Sequence, residues 1–379
     1  MIIRNAKVYN DEGRFILQDI YMEGEVFTAA EDYQGSKRGF GEVVLDAAGL
    51  MAIPGLTDIH FHGCVNYDLC NGTEEAISAI AEYELQNGIT TICPASMTLP
   101  EEVLTKIVEA VSSYDNTKGA DLVGINLEGP FISTEKKGAQ NELYIVPPNL
   151  ELYRRLQKVS KNRIKLVDIA PEEPGALEFI KAVKDEVVVS LAHTAADYET
   201  ATKALQAGAS HITHLYNAMP AYTHRKPGVI GAASDSPDCT VELIGDGVHV
   251  HPAVVRNTFR IFGSDRVILV SDSLMATGIG DGEVELGGQK VYVKGKKATL
   301  KDGTLAGSVM NLMDCVRVCV KEIGIPLEQA VRSAAVNSAK AIGIYDKYGS
   351  ITPGKYANVV LLDEELNVRG VIKKGRLVK

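Results

Sequence analysis

From about residue 52 the chain alternates two textures. Short runs rich in β-branched and other apolar residues are separated by stretches of roughly a dozen residues whose apolar positions recur at helical spacing. Eight such runs stand out: AIPGLTDIHFHG (52–63), GITTICPASMT (88–98), LVGINLEGPF (122–131), RIKLVDIAPE (163–172), EVVVSLAHTAA (186–196), SHITHLYNAM (210–219), TVELIGDGVHV (240–250) and RVILVSDSLMATG (266–278). Between the first two, TEEAISAIAEYELQN reads as a helix with Thr73 as its N-cap and Asn87-Gly88 closing it. A strand-helix unit repeated eight times predicts an α/β fold, a closed parallel (β/α)8 TIM barrel. A doubly wound open sheet is the second choice, but no GxGxxG turn follows an early strand.

The two ends have another style. IIRNAKVY, RFILQDIYMEG, EVFTA and GEVVLDAAG are short strand-like segments with glycine and acidic punctuation, and GSITPGKYANVVLLDEELNVRGVIKKGRLVK repeats the style at the C-terminus. One small β-sandwich domain is therefore expected from residues 1–52 plus 348–379, flanking a catalytic barrel at 53–347. Within the barrel, DGEVELGGQKVYVKGKKATLKDG reads as a hairpin insertion at about 281–303, near the mouth. VMNLMDCVRVCVKEIG then gives the closing outer helix, with Cys315 and Cys319 packed in the core.

A chain of 379 residues exceeds one typical compact domain, which suits a barrel with a satellite. The formal net charge of −10 excludes the basic face a nucleic-acid binder needs, so an anionic ligand must meet a local cationic pocket. No apolar stretch is long enough for a membrane span, and MIIRNAKVYN does not read as a secretory leader, so no membrane partner and a cytoplasmic location are expected. The six scattered cysteines fit reduced thiols.

The polar residues carry the chemistry. In run after run the apolar stretch comes first and a His, Glu or Asp comes last, where barrel enzymes place catalytic groups. His60 and His62 are two residues apart, so on a strand both imidazoles share a face and suit one metal ion. Glu128 ends the third run; a buried carboxylate there is expensive unless a cation pairs with it, and its two oxygens can bridge two ions. The fourth run ends in Asp168 and Glu172 with no lysine to modify, which leaves Glu128 as the shared ligand. His193 and His214 close the fifth and sixth runs; His211, an odd offset from His214, faces the other way and reads as structural. Asp272 ends the eighth run, placed to take a proton from a water attacking a carbonyl and return it to the leaving nitrogen. His249 ends the seventh run at the same mouth, whereas His251 beside Pro252 leaves it. Each signal alone has a bland reading as a core histidine, an N-cap or a solvated loop. The set at the ends of runs 1, 3, 5, 6 and 8 does not.

On these residues the chain resembles the amidohydrolase superfamily and, within it, the N-acetylglucosamine-6-phosphate deacetylases. The resemblance is carried by IPGLTDIHFHG, NLEGPFISTEKKGA, AHTAAD, THLYNAM, HRKPGVIGA, DGVHV, VSDSLMATG, GTLAGS and GKYANVVLLD in family order. It implies one or two divalent ions (Zn, Fe, Mn or Co), with Glu128, His193 and His214 at the general site and His60 and His62 at the second. It also implies Asp272 as acid/base and His249 polarising the acetyl carbonyl. Asn217 and Ala218 match amide donors to phosphate, and Ala139, Leu305, Ala306 and Gly307 match positions lining the sugar. Arg225 matches a phosphate-binding arginine that reaches a neighbouring subunit's site, which implies a homodimer. Two departures stand out: Gln140, where many relatives have a histidine near the sugar and phosphate, and Cys64-Val65-Asn66 after the HxH.

The expected reaction is hydrolysis of N-acetyl-D-glucosamine 6-phosphate to D-glucosamine 6-phosphate and acetate, in amino-sugar catabolism and cell-wall sugar recycling. The galacto epimer, another amidohydrolase reaction and a catalytically silent scaffold are the alternatives. A scaffold would be expected to lose ligands, and this chain keeps every one.

Overall fold

A computed structural model of the chain describes residues 1–35 and 43–379. The eight runs form parallel strands in chain order. Leu56–Asp58, Ile89–Ile92 and Asp121–Leu122 make a three-stranded sheet. Ile125–Leu127, Ile164–Ile169, Val188–Leu191, His211–Ile212, Thr240–Ile244 and Val267–Val270 make a six-stranded one. Most of these strand residues are buried, Val267–Val270 completely, as expected where helices cover one face of a parallel sheet and side chains fill the other.

The continuous ladders therefore form two arcs rather than one uninterrupted ring. The third run breaks at Val123-Gly124, and its two halves belong to different sheets. Individual hydrogen bonds join the arcs: Asn126 N–H donates to Pro94 O (2.9 Å) and Ser96 N–H to Asn126 O (2.9 Å). At the other seam Asp272 N–H donates to His60 O (2.9 Å) and His62 N–H to Ser273 O (2.7 Å). Ser271 Oγ–H also donates to the buried Asp58 carboxylate at 2.5 Å. These seam bonds hold the first and eighth runs side by side, so the polar residues that end them face one another.

The connecting segments behave as their local chemistry dictates. Helix Glu74–Gln86 starts at Thr73, whose hydroxyl accepts from Ala76 N–H at 3.2 Å, and ends at Asn87 before Gly88, which takes φ +89°. The segment read as one closing helix divides into an α-helix, Leu312–Val318, and a π-helical turn, Cys319–Ile323; Cys315 and Cys319 are buried thiols within it. The insertion forms three antiparallel strands, Gly282–Leu286, Gln289–Lys294 and Lys297–Thr299. Leu286, Val291, Val293 and Ala298 pack on Met97, Leu274 and Ala306, because a lone hairpin has too little apolar face to stand by itself.

The chain ends share one mixed eight-stranded sheet. Val359–Leu362 pairs antiparallel with Met51–Pro54, Val360 opposite Ile53, and Met51–Pro54 pairs parallel with Ile2–Tyr9. Its apolar cluster includes Ile3, Ala6, Val8, Met22, Phe27, Val359 and Ile372. The ladders of the two chain ends run as one continuous hydrogen-bonded sheet, because Met51–Pro54 and Val359–Leu362 stitch the ends edge to edge. GEVVLDAAG begins at residues 41 and 42, outside the described residues; the strand found there is Val44–Asp46. The C-terminal sheet docks on the rest through Asp121, a buried carboxylate held by Lys373 Nζ (2.7 Å), Lys374 Nζ (3.1 Å) and Tyr348 OH (3.0 Å). No helix among the described residues is long and apolar enough to cross a membrane.

Candidate functional site

Glu128 is the hub. It follows strand Ile125–Leu127 directly and is buried, with four imidazoles around its carboxylate. On Oε1, His193 Nε2 lies at 2.9 Å, His214 Nε2 at 3.3 Å and His60 Nε2 at 3.6 Å; on Oε2, His62 Nε2 lies at 3.3 Å. His193 Nε2 and His214 Nε2 are 3.1 Å apart. Asp272 Oδ1 stands 3.4 Å from His62 Nε2 and 4.0 Å from His60 Nε2.

Two groups of donors converge, His60–His62–Glu128 and Glu128–His193–His214, each with its ligand atoms within 4.8 Å of one another. Ligands at about 2.1 Å from a tetrahedral ion stand about 3.4 Å apart, the spacing seen here. The chemistry of the set agrees, since neutral imidazole and carboxylate suit a divalent transition metal. His60 Nε2 and Glu128 Oε2 are buried without a hydrogen-bond partner, which is costly unless a cation meets them. The residues present fit a divalent ion.

The backbone spends local strain to aim these groups. His193 (φ +42°), His214 (φ +27°) and Asp272 (φ +49°) all sit in left-handed backbone immediately past their strands. Such non-glycine residues cost on the order of 1 kcal/mol each and cluster at functional sites. Gly307, at φ +118°, lies so close that a Cβ there would meet Asp272 O at 3.0 Å. Outer contacts fix ring orientation: His193 Nδ1–H donates to Lys136 O at 2.9 Å, which leaves its Nε2 free to face Glu128.

Electrostatics follow the crowding. Burial pushes the Glu128 carboxyl up, but His60, His193 and His214 outweigh it and hold the group well below the usual carboxylate range. Asp272 is buried too, and the hydrogen bond of His62 with the charges of His60 and His62 nonetheless draws it below its ordinary value. It is therefore an ionised acceptor at neutral pH. Burial opposes protonation of His249, yet the hydrogen bond and charge of Asp246, Nδ1 to Oδ2 at 2.7 Å, raise it above the ordinary histidine value. Because Nδ1–H is committed to Asp246, His249 offers an Nε2–H donor to the pocket only when protonated. Asp246→Asn is expected to lower the His249 titration midpoint, followed by NMR, and to carry the alkaline limb of kcat/KM down with it; an unmoved midpoint assigns the shift elsewhere.

Above the donor set opens a cavity of about 260 Å³. It is lined by His62, Glu128, His193, His214, His249 and Asp272 at its floor, and by Ala139, Gln140, Asn217, Ala218, Leu305, Ala306 and Gly307 on its walls. The asparagine backbone N–H is already engaged with His214 O at 2.9 Å. Gln140 reaches the wall but turns its amide inward: Oε1 accepts from Thr98 N–H (2.7 Å) and Nε2 faces Met97 Sδ (3.7 Å). Arg225 is not in the cavity. It is exposed on the loop after Pro220, with its guanidinium 2.7 Å from His224 Nε2.

His211 is buried behind the site against Thr240 and Glu242, and His251 caps helix Pro252–Phe262 in the open. Sequence reasoning passed over Glu242 and Asp246, which orient His60 and His249, and Met97 and Leu286, which line the wall. Glu242 did leave a signal: a carboxylate in the middle of an otherwise apolar strand needs a buried partner.

A barrel-like α/β fold with a buried histidine and carboxylate donor set at the strand ends defines a metal-dependent hydrolase class, and a profile of the amidohydrolase family matches residues 51–378. The N-acetylglucosamine-6-phosphate deacetylase of Bacillus subtilis (strain 168) is 35% identical over 361 residues, covering 94% of this chain and 91% of the relative. The human protein of that name is 31% identical over 379 residues, covering 97% and 92%. Among solved structures, the deacetylase of Pasteurella multocida superposes with a TM-score of 0.92 at 30% identity, covering 100% and 99%. A mutant of the Mycobacterium smegmatis enzyme in complex with N-acetyl-D-glucosamine-6-phosphate superposes at 0.91 and 30% identity, covering 100% and 98%. The chain belongs to the amidohydrolase family and, within it, to the N-acetylglucosamine-6-phosphate deacetylases.

Proposed function

We propose that this chain hydrolyses the acetamido group of N-acetyl-D-glucosamine 6-phosphate, giving D-glucosamine 6-phosphate and acetate in amino-sugar catabolism. The observation that carries the reading is Asp272, an ionised carboxylate beside a buried five-residue donor set at the floor of a cavity. Read with the seam hydrogen bonds, the two arcs make one closed eight-stranded barrel whose mouth holds that cavity.

His193, His214 and Glu128 would hold one divalent ion, and His60, His62 and Glu128 a second. Such an ion supplies Lewis acidity toward the acetyl carbonyl and makes water acidic enough to attack near neutral pH. Asp272 Oδ1 takes the proton of the attacking water as the C–O bond forms, then returns it to the sugar nitrogen as the C–N bond breaks and the amine leaves. His249 Nε2–H donates to the carbonyl oxygen as negative charge develops there. Ala139, Leu305, Ala306 and Gly307 form the sugar walls, and the inward-turned Gln140 shapes that wall through Thr98 and Met97.

Among the described residues, no side chain lining the cavity is a lysine or arginine, while the substrate carries a phosphate. The exposed Arg225 supplies that charge across a homodimer, to the site of a neighbouring copy. The test is a panel of N-acetylated hexosamines with and without 6-phosphate, run on protein of measured metal content. Acetate release is expected from the phosphorylated gluco sugar, with Arg225→Ala raising KM at least about tenfold for it and little for the unphosphorylated one. Metal-loaded protein that releases no acetate from the phosphorylated gluco sugar would sink the reading.

A further inference from the structure

Glu242 lies in strand Thr240–Ile244, below the donor set and outside the cavity, fully buried. Its Oε2 accepts from His60 Nδ1–H at 2.8 Å and from the His214 backbone N–H at 3.1 Å, and its Oε1 accepts from His211 Nε2–H at 3.1 Å. We propose that Glu242 is a positioning residue that decides whether the His60–His62–Glu128 group holds an ion. This rests on the metal reading of the site given above.

A carboxylate that lacks a proton can only accept, so the proton of a neutral His60 must sit on Nδ1. Nε2 then carries the lone pair, and it is this atom that is buried, without a hydrogen-bond partner, facing Glu128 and Asp272. Glu242 cannot swing away. His211 holds its other oxygen, and His211 is itself anchored through Nδ1 to Thr240 Oγ1 at 2.6 Å.

The other donors show why this one contact decides the matter. Nδ1 of His62 and Nδ1 of His214 are buried with no hydrogen-bond partner, so neither ring is locked from behind. In the Glu128–His193–His214 group the locked ring is His193, held by the Lys136 carbonyl. In the His60–His62–Glu128 group it is His60, held by Glu242. Each group thus has one ring fixed from outside, and only the second depends on Glu242 for it.

Glu242→Gln keeps the shape but replaces one of the two oxygens that accept from the ring N–H groups with an NH2 donor. When that NH2 faces His60 Nδ1, the ring proton moves to Nε2 and blocks it as a ligand. When it faces His211 instead, His60 keeps only a neutral and weaker acceptor.

The experiment is zinc titration of the metal-stripped protein with a competing chelator, wild type beside Glu242→Gln, with the melting curve recorded. Expected are two zinc affinities in the wild type, one of which falls about 10–100-fold in the variant while the other stays within about threefold. Unchanged affinities, an equal loss of both, or a wild type that takes up a single ion would each overturn the proposal. A wild type that binds no zinc overturns the metal reading beneath it. Should the variant fail to fold, nitrogen NMR of His60 in metal-free wild type decides: Nδ1–H is expected, and an Nε2–H ring overturns it.

Discussion

Asp272→Asn should lower kcat by about 10²–10⁴-fold while leaving the metal content of the protein unchanged. The side chain keeps its size and its place past Val267–Val270, with its backbone still tied to His60 O and Ser308 N. What it loses is the ability to take a proton, and an amide is no substitute. The wild-type carboxylate is held ionised by its imidazole neighbours, so it serves as a base across neutral pH. The acid limb of the wild-type profile should accordingly lie low, because activity is lost only as pH falls through that depressed pKa. A variant retaining more than about a tenth of wild-type kcat would remove Asp272 from the proton-transfer step. Metal analysis is the necessary companion, since loss of the ion would produce the same kinetic result for a different reason.

The second large effect is expected at Glu128. Both convergent groups include it, so Glu128→Gln should weaken both at once. The amide offers one neutral oxygen where two charged ones served His193 and His214 on one side and His62 on the other. Affinity for divalent metal should fall by at least about 100-fold. Stability should reveal the same change. A ligand at a thousand times its Kd stabilises the folded state by about 4 kcal/mol, so added metal should raise the wild-type melting temperature and leave the variant nearly unmoved. An equal rise in both proteins would place the ion elsewhere.

Much of the site was legible because strand periodicity and strand ends are local properties. His60 and His62 share a face by their spacing, and Glu128, His193, His214 and Asp272 each follow an apolar run directly. That Asn217, Ala218, Ala139 and Leu305 belong to the cavity wall was legible only through resemblance, because no periodicity marks them. Glu242 and Asp246 are less legible because neither closes an apolar run: one sits mid-strand, the other three residues before the histidine it holds. Arg225 shows the opposite limit, since its motif is plain in sequence while a single chain leaves it exposed and outside the lining of the cavity above the donor set.

The sequence alone determined the alternation of apolar strand runs and helical stretches, the HxH pair and the polar residues that end the runs, since each depends on neighbours a few positions away. Only the tertiary structure decided that Glu128 would be ringed by four imidazoles, that the first and eighth runs would meet through Asp272 N–H and His60 O, and that the ends would form one sheet. It also decided the left-handed turns at His193, His214 and Asp272 and the inward amide of Gln140. The reason is physical: these depend on groups brought together from distant parts of the chain, and buried charge is tolerated only where such partners converge.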